Sequence, residues 1–160
     1  MPLTVDGHVR RLQIVCAALL ASLGAYGAAA MLIPLPSDPT FPQGEPLLWG
    51  FAFFAAVNLV TIMPVYRAMM AAPRRVYAVG QDPQRLLAAH FAAHLVAFAR
   101  IEAVAVLGLV LYVLTGHRDW FWIFTAIASA GMLLLWPSRA KVHELVAITS
   151  TLGPEAASPR

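Results

Sequence analysis

Among the residues of this 160-residue chain that could do chemistry, Glu102 is the most informative, because it stands inside an otherwise apolar block. If that block is a helix leaving the apolar layer near Thr115, Glu102 lies six residues, about 9 Å at 1.5 Å per residue, inside the opposite edge. An ionised carboxylate is costly at that depth. Such groups usually face a bundle interior and mark proton or ion paths. Asn58, twelve residues into the preceding block from its other end, reaches a similar depth, and Ser22, Thr61 and Ser129 are further candidates for the same layer. A carboxyl group hydrogen-bonded to Asn58 and Ser22 would be a reasonable proton or ion site. The plainer alternative is a pairing of Glu102 with Arg100 or Arg67 that only fixes helix packing. Arg100 itself has a long enough stem to carry its charge back to the nearer surface.

His90 and His94 are spaced i, i+4 and share one helix face, a spacing that can hold a metal or the edge of a haem. His8 and His143 fall on the same side of the layer, with Glu144 following His143. No HExxH or Cys/His motif accompanies them, so an interfacial pair without ligand duty is the simpler expectation. No cofactor is predicted, with metal or haem at His90 and His94 as the alternative. The single cysteine, Cys16, excludes a disulfide scaffold and reads as packing. The chain has no phosphate loop, no Ser-His-Asp pattern and no paired carboxylates. Its motifs point away from an enzyme.

The elements that position these residues follow from composition. The chain is 60% hydrophobic and only 12% charged, with a mean hydropathy of +0.72, whereas soluble domains carry roughly 25% charged residues. This excludes a soluble, disordered or collagen-like chain, and a nucleic-acid binder despite a pI near 9.5. Crossing the hydrocarbon layer takes about 20 apolar residues in a helix. Four segments qualify: about 14–33, 46–66, 83–115 and 120–136. Pro46 suits a first helical turn, Asp82 and Pro83 suit an N-cap and the position after it, and Pro137 stops the fourth. An amphipathic helix is expected over about 138–151, and a disordered tail over 153–160. Unbroken apolar blocks, rather than ten-residue alternation, select helices over a barrel. The fold class is therefore an all-α membrane protein of four spans in two hairpins, one domain over 1–152. The first block follows Arg10 and Arg11 and ends in Ala28-Ala29-Ala30 like a signal peptide. It is nevertheless longer than the usual 7–15-residue apolar core, so it is expected to remain as a span.

Nine of the eleven Lys and Arg residues fall on one face of this topology: Arg10, Arg11, Arg67, Arg74, Arg75, Arg85, Arg139, Lys141 and Arg160. The positive-inside rule then places both termini in the cytoplasm. Trp49, Trp120, Trp122 and Tyr112 would form an aromatic belt at the outer interface. Small residues along the first span, Gly24 and Gly27 among them, and Gly108 in the third are candidates for close helix packing. The five prolines between Pro34 and Pro46 suggest a semi-rigid outer loop. The two halves also correspond weakly: Arg11-Leu12-Gln13 with Arg100-Ile101-Glu102, and Trp49, Phe51, Ala55, Pro64 with Trp122, Phe124, Ala128, Pro137. An internal duplication would produce this pattern.

The run Arg100-Ile101-Glu102-Ala103-Val104-Ala105-Val106-Leu107-Gly108-Leu109-Val110 resembles the carboxylate helix of rotary ATPase c subunits, the proteolipids. It is also similar to uncharacterised bacterial four-span membrane proteins that share an Arg-x-Glu helix. The resemblance covers residues 100–114 and implies Glu102 as a carrier of a proton or sodium ion. It also implies a bacterial inner membrane. Span one is alanine-rich where c subunits are glycine-rich, and the carboxylate sits on the third helix rather than the last.

Two functions are expected ahead of a third. The first is a non-catalytic subunit packed with other membrane protein chains in a larger inner-membrane complex, in contact with lipid and not with nucleic acid. The second is c-subunit-like proton or ion handling through Glu102. The third is metal or haem binding through His90 and His94.

Overall fold

A computed structural model describes residues 4–34, 45–80 and 82–151. The described residues form six helices and no strand: α1 (Val5–Leu32), α2 (Glu45–Val60), α3 (Ile62–Gly80), α4 (Pro83–Thr115), α5 (Arg118–Leu134) and α6 (Arg139–Thr151). Most of the proline-rich loop and the 153–160 tail lie outside the described residues.

Helix α1 begins well before the apolar block because its first turn is capped. Thr4 Oγ1 accepts the amide of Gly7 at 3.2 Å, and Asp6 adds a negative charge in the first turn. The 33-residue α4 starts as its sequence requires, with Asp82 Oδ1 accepting the Gln84 amide at 3.0 Å. It ends at Gly116, whose φ of 74° is the left-handed conformation of a helix C′ residue, with the Gly116 amide on the Tyr112 carbonyl at 2.8 Å.

The second expected span, 46–66, falls within a longer apolar stretch, Glu45–Tyr77. Its helix breaks at Thr61, and a further helix runs to Gly80 where a charged connection was expected. Pro64 is the cause: it has no amide to offer the Val60 carbonyl, and its ring crowds that carbonyl. Beyond the break α3 is amphipathic, with Ile62, Met70 and Tyr77 buried on one side and Arg67, Arg74 and Arg75 exposed on the other. Pro137 stands in the same relation to α5, which ends at Leu134 before α6 begins.

Three stretches are long and apolar enough to cross a membrane: Val5–Leu32, Glu45–Tyr77 and Pro83–Thr115. A fourth is reached if α5 and α6 are counted as one broken span.

The chain divides into two compact units, with α1 and α4 contributing to both. The first comprises residues 1–15, 63–97 and 136–160. Its core is Met70, Tyr77, Leu86 and Ala93 packed with Tyr66, Met69, Leu145 and Val146, beside Val9, Leu87 and Val142. Gln13 Nε2 donates to the Pro137 carbonyl at 3.2 Å, and Asp6 pairs with Arg139 at 3.4 Å on the surface.

The second unit comprises 16–62 and 98–135. Here Ala30, Tyr112 and Phe121 pack with Tyr26 and Leu109, and Cys16, Phe98, Ile101, Val104 and Met132 are also buried. Tyr112 is only 1% exposed, so it belongs to this core and not to an aromatic belt. Trp49, Phe53, Phe54, Ile123, Ile127, Leu133 and Leu134 by contrast point outward. Burying none of these large side chains would be expensive in water and costs nothing in hydrocarbon.

Candidate functional site: a carboxyl group within an apolar helix

Within the second unit, α1 and α4 bring three polar side chains together. Glu102 Oε1 lies 2.7 Å from Ser22 Oγ and accepts the Tyr26 hydroxyl at 2.9 Å. Ser22 and Tyr26 are four residues apart, one helical turn, and so meet the same neighbour. Ser22 Oγ also donates to the carbonyl oxygen of Leu19, at 2.7 Å on its own helix. On another side of α4, Gly108 lets this helix close on α5: a Cβ added there would stand 2.6 Å from Phe124 Cβ. The neighbouring Ile101, Val104 and Ala105 are fully enclosed.

The carboxyl group is not sealed in. It lines a groove of about 480 Å³ together with Tyr26, Phe54, Asn58, Ala99 and Val106. Most of that wall is apolar, with the carboxyl, the phenol and the Asn58 amide as its polar points.

The expected partners are partly corrected. Ser22 does meet Glu102. Asn58 lines the groove, but its amide nitrogen donates to the Phe54 carbonyl at 3.1 Å and its oxygen accepts Arg100 Nε at 3.3 Å. Arg100 also donates to Thr61 Oγ1, which in turn donates to the Val57 carbonyl. Arg100 therefore ties down the end of α2 at its break instead of pairing with Glu102. Two residues apart on a helix, the two side chains leave on opposite sides and cannot face each other. The ion pairs among the described residues are Asp82–Arg85 and Asp6–Arg139, and neither involves Glu102 or Arg67.

Tyr26 went unnoticed in the sequence because a tyrosine in an alanine-rich span reads as one more apolar or interfacial residue. The available signal was its position, one turn after Ser22.

A second cluster occupies the first unit. His8 Nε2 and His90 Nδ1 are hydrogen-bonded at 3.0 Å, and both rings are buried. His90 and His94 overlap with ring centroids 4.2 Å apart, and His94 Nδ1 lies 3.2 Å from the His90 carbonyl. Tyr66 presents its edge to both rings. Three of the four histidines expected on one side do converge, while His143 is exposed on α6. His90 and His94 meet ring against ring, and the free side of the His90 Nδ1 position is taken by His8. Among the described residues no group of three or more His, Cys, Asp or Glu side chains is placed to hold a metal ion.

The packing glycines divide. Gly108 is pressed on Phe124 and Gly27 on Trp122, whose ring would lie 3.3 Å from an added Cβ, but Gly24 has nothing within 4 Å.

No family model, curated protein or solved structure matches this chain.

Proposed function

We propose that the chain is an integral membrane subunit, with cytoplasmic termini, that takes up and releases a proton or small cation at Glu102 and carries out no enzymatic reaction. The observation that carries this reading is the Glu102 cluster itself. An acidic side chain within a span-length apolar helix is held by two hydroxyl groups of another helix and opens on a groove. The c-subunit-like run around Glu102 agrees with this reading. So does the outward display of large apolar side chains, which suits lipid contact in an inner membrane.

Assembly with partner membrane chains is the second part of the proposal. Ala17, Ala21, Gly24 and Ala28 form an exposed line of small residues along α1, the surface that lets another helix approach closely in lipid. An internal duplication fits the recurrence of a helix broken ahead of proline at Pro64 and Pro137.

Covalent labelling of membranes with a hydrophobic carbodiimide tests the first part. Glu102 should be modified, and the Glu102→Gln variant should not react. A folded protein that resists labelling at every pH would overturn the reading. Extraction in mild detergent tests the second part, which fails if the chain leaves the membrane as a monomer with no companion.

A further inference from the structure

The groove beside Glu102 is larger than a proton or a bare ion needs. Its volume of about 480 Å³ falls in the range of small-molecule sites. Ala99, Ala103, Val106 and Leu107 of α4 and Phe54 of α2 make most of its wall, and among the described lining residues Glu102 alone carries a charge. We propose that this groove binds a lipophilic ammonium, a protonated amine carried on a hydrocarbon or aromatic body. The inference rests on the reading of Glu102 as a cation site and names a larger occupant for it.

The carboxyl group is prepared for such a partner. An ionised carboxyl group only accepts hydrogen bonds, and both neighbours on α1 donate to Oε1, Ser22 Oγ at 2.7 Å and the Tyr26 hydroxyl at 2.9 Å. The other oxygen, Oε2, accepts from no described residue and is not buried. It is left to a donor that enters the groove. The N–H of an ammonium group supplies both that donor and the opposite charge. Tyr26 and Phe54 also line the groove, and aromatic rings attract an ammonium group near their faces.

Other occupants fit less well. An anion would meet the charge of Glu102 with no cation in the lining to offset it, because Arg100 stands outside the lining and donates to Asn58 Oδ1 and Thr61 Oγ1. A metal ion asks for about six oxygen ligands, whereas most of this wall is hydrocarbon. Phe54 and Val106 are exposed apolar side chains at the groove, so an apolar body arriving from lipid meets matching surface. An ammonium on such a body comes either as a free amine or as the headgroup of an amine-bearing lipid.

The test uses full-length protein in nanodiscs of phosphatidylglycerol diluted with an uncharged glycolipid. They are titrated near neutral pH with protonated N,N-dimethyl-1-naphthylmethylamine, and binding is corrected for empty discs. Saturable binding is expected, weaker by about ten- to a hundredfold in Glu102→Gln, which loses a charge-assisted hydrogen bond. Val106→Trp, at an exposed lining position, should fill the groove and weaken binding as well. The amine should also slow carbodiimide labelling of Glu102. Binding undiminished in both variants, or matched by neutral 1-naphthylmethanol, overturns the inference. Labelling of Glu102 without saturable amine binding overturns it too, and leaves Glu102 as an ion site. Absence of both labelling and amine binding removes the two readings together. Exchanging the glycolipid for phosphatidylethanolamine separates the sources: competition assigns the lipid's own ammonium, and unchanged affinity assigns a free amine, each in support of the inference.

Discussion

Closing α4 on α5 depends on Gly108, and substituting it by alanine tests that packing directly. The added Cβ would stand 2.6 Å from Phe124 Cβ and 3.2 Å from its Cγ, where ordinary carbon contacts need about 3.5–4.0 Å. About 1 Å must therefore be found. Phe124 Cβ is fixed to the α5 backbone and cannot swing aside, so the helices themselves must separate. Overpacking of this kind costs about 1–3 kcal/mol, against which alanine returns at most ~1 kcal/mol in helix propensity. Gly24→Ala supplies the opposite case, with nothing within 4 Å of the new methyl group and only the propensity gain to register. Gly27→Ala falls between, because it meets the far edge of the Trp122 ring at 3.3 Å. The expected order of stability is Gly24→Ala above wild type, Gly27→Ala near it and Gly108→Ala below it, with about 2 kcal/mol across the series. Unfolding in detergent with increasing sodium dodecyl sulfate, followed by circular dichroism, reads that order. Equal stability of the Gly108 and Gly24 variants would refute the α4–α5 packing described above.

Other substitutions probe separate features. Tyr26→Phe removes one donor from Glu102 without opening a cavity; it should cost about 1 kcal/mol in unfolding measurements while carbodiimide labelling of Glu102 persists. His8→Leu leaves His90 Nδ1 buried without its partner at 3.0 Å, a loss of about 1–3 kcal/mol that His8→Gln, which keeps a polar group, should reduce. Thr4→Ala removes the cap on the Gly7 amide and should speed hydrogen exchange over the first turn of α1, at a cost of about 1 kcal/mol. No change in exchange there would show that the cap is idle.

Much of the fold was legible because long apolar runs bounded by caps and prolines leave few alternatives to helix. Asp82-Pro83 announced the start of α4, and a predominantly apolar run to Thr115 announced its length. Pro137 likewise marked the end of α5. Pro64 carried the same information but was read as lying within a span, since proline near a helix start is harmless and its effect depends on where the chain is already helical. The amphipathic α3 was hidden by its arginines, which look like a loop when counted as charges and like a helix face when spaced against Ile62, Met70 and Tyr77. The N-terminal extension of α1 was missed because its cap, Thr4, precedes charged residues and no apolar run.

At the candidate site, type and depth singled out Glu102, but its partners could not be read from depth alone. Asn58 and Ser22 were placed in one layer with it; a layer specifies height and says nothing of direction around the helix. Direction follows from helical phase, and there the sequence was more eloquent than its composition. Arg100 must leave α4 on the side away from Glu102, so the charge nearest in sequence is the one least able to neutralise it. What remains within reach are hydroxyl groups one turn apart on α1. Hydroxyl groups, unlike a guanidinium, can donate to a carboxylate and accept from a carboxylic acid. They can therefore accommodate either protonation state, where a fixed positive charge would hold the group ionised. The exclusion of Arg100 by helical phase, more than the presence of an acid in an apolar helix, is the physical reason Glu102 is left to the hydroxyl groups of Ser22 and Tyr26.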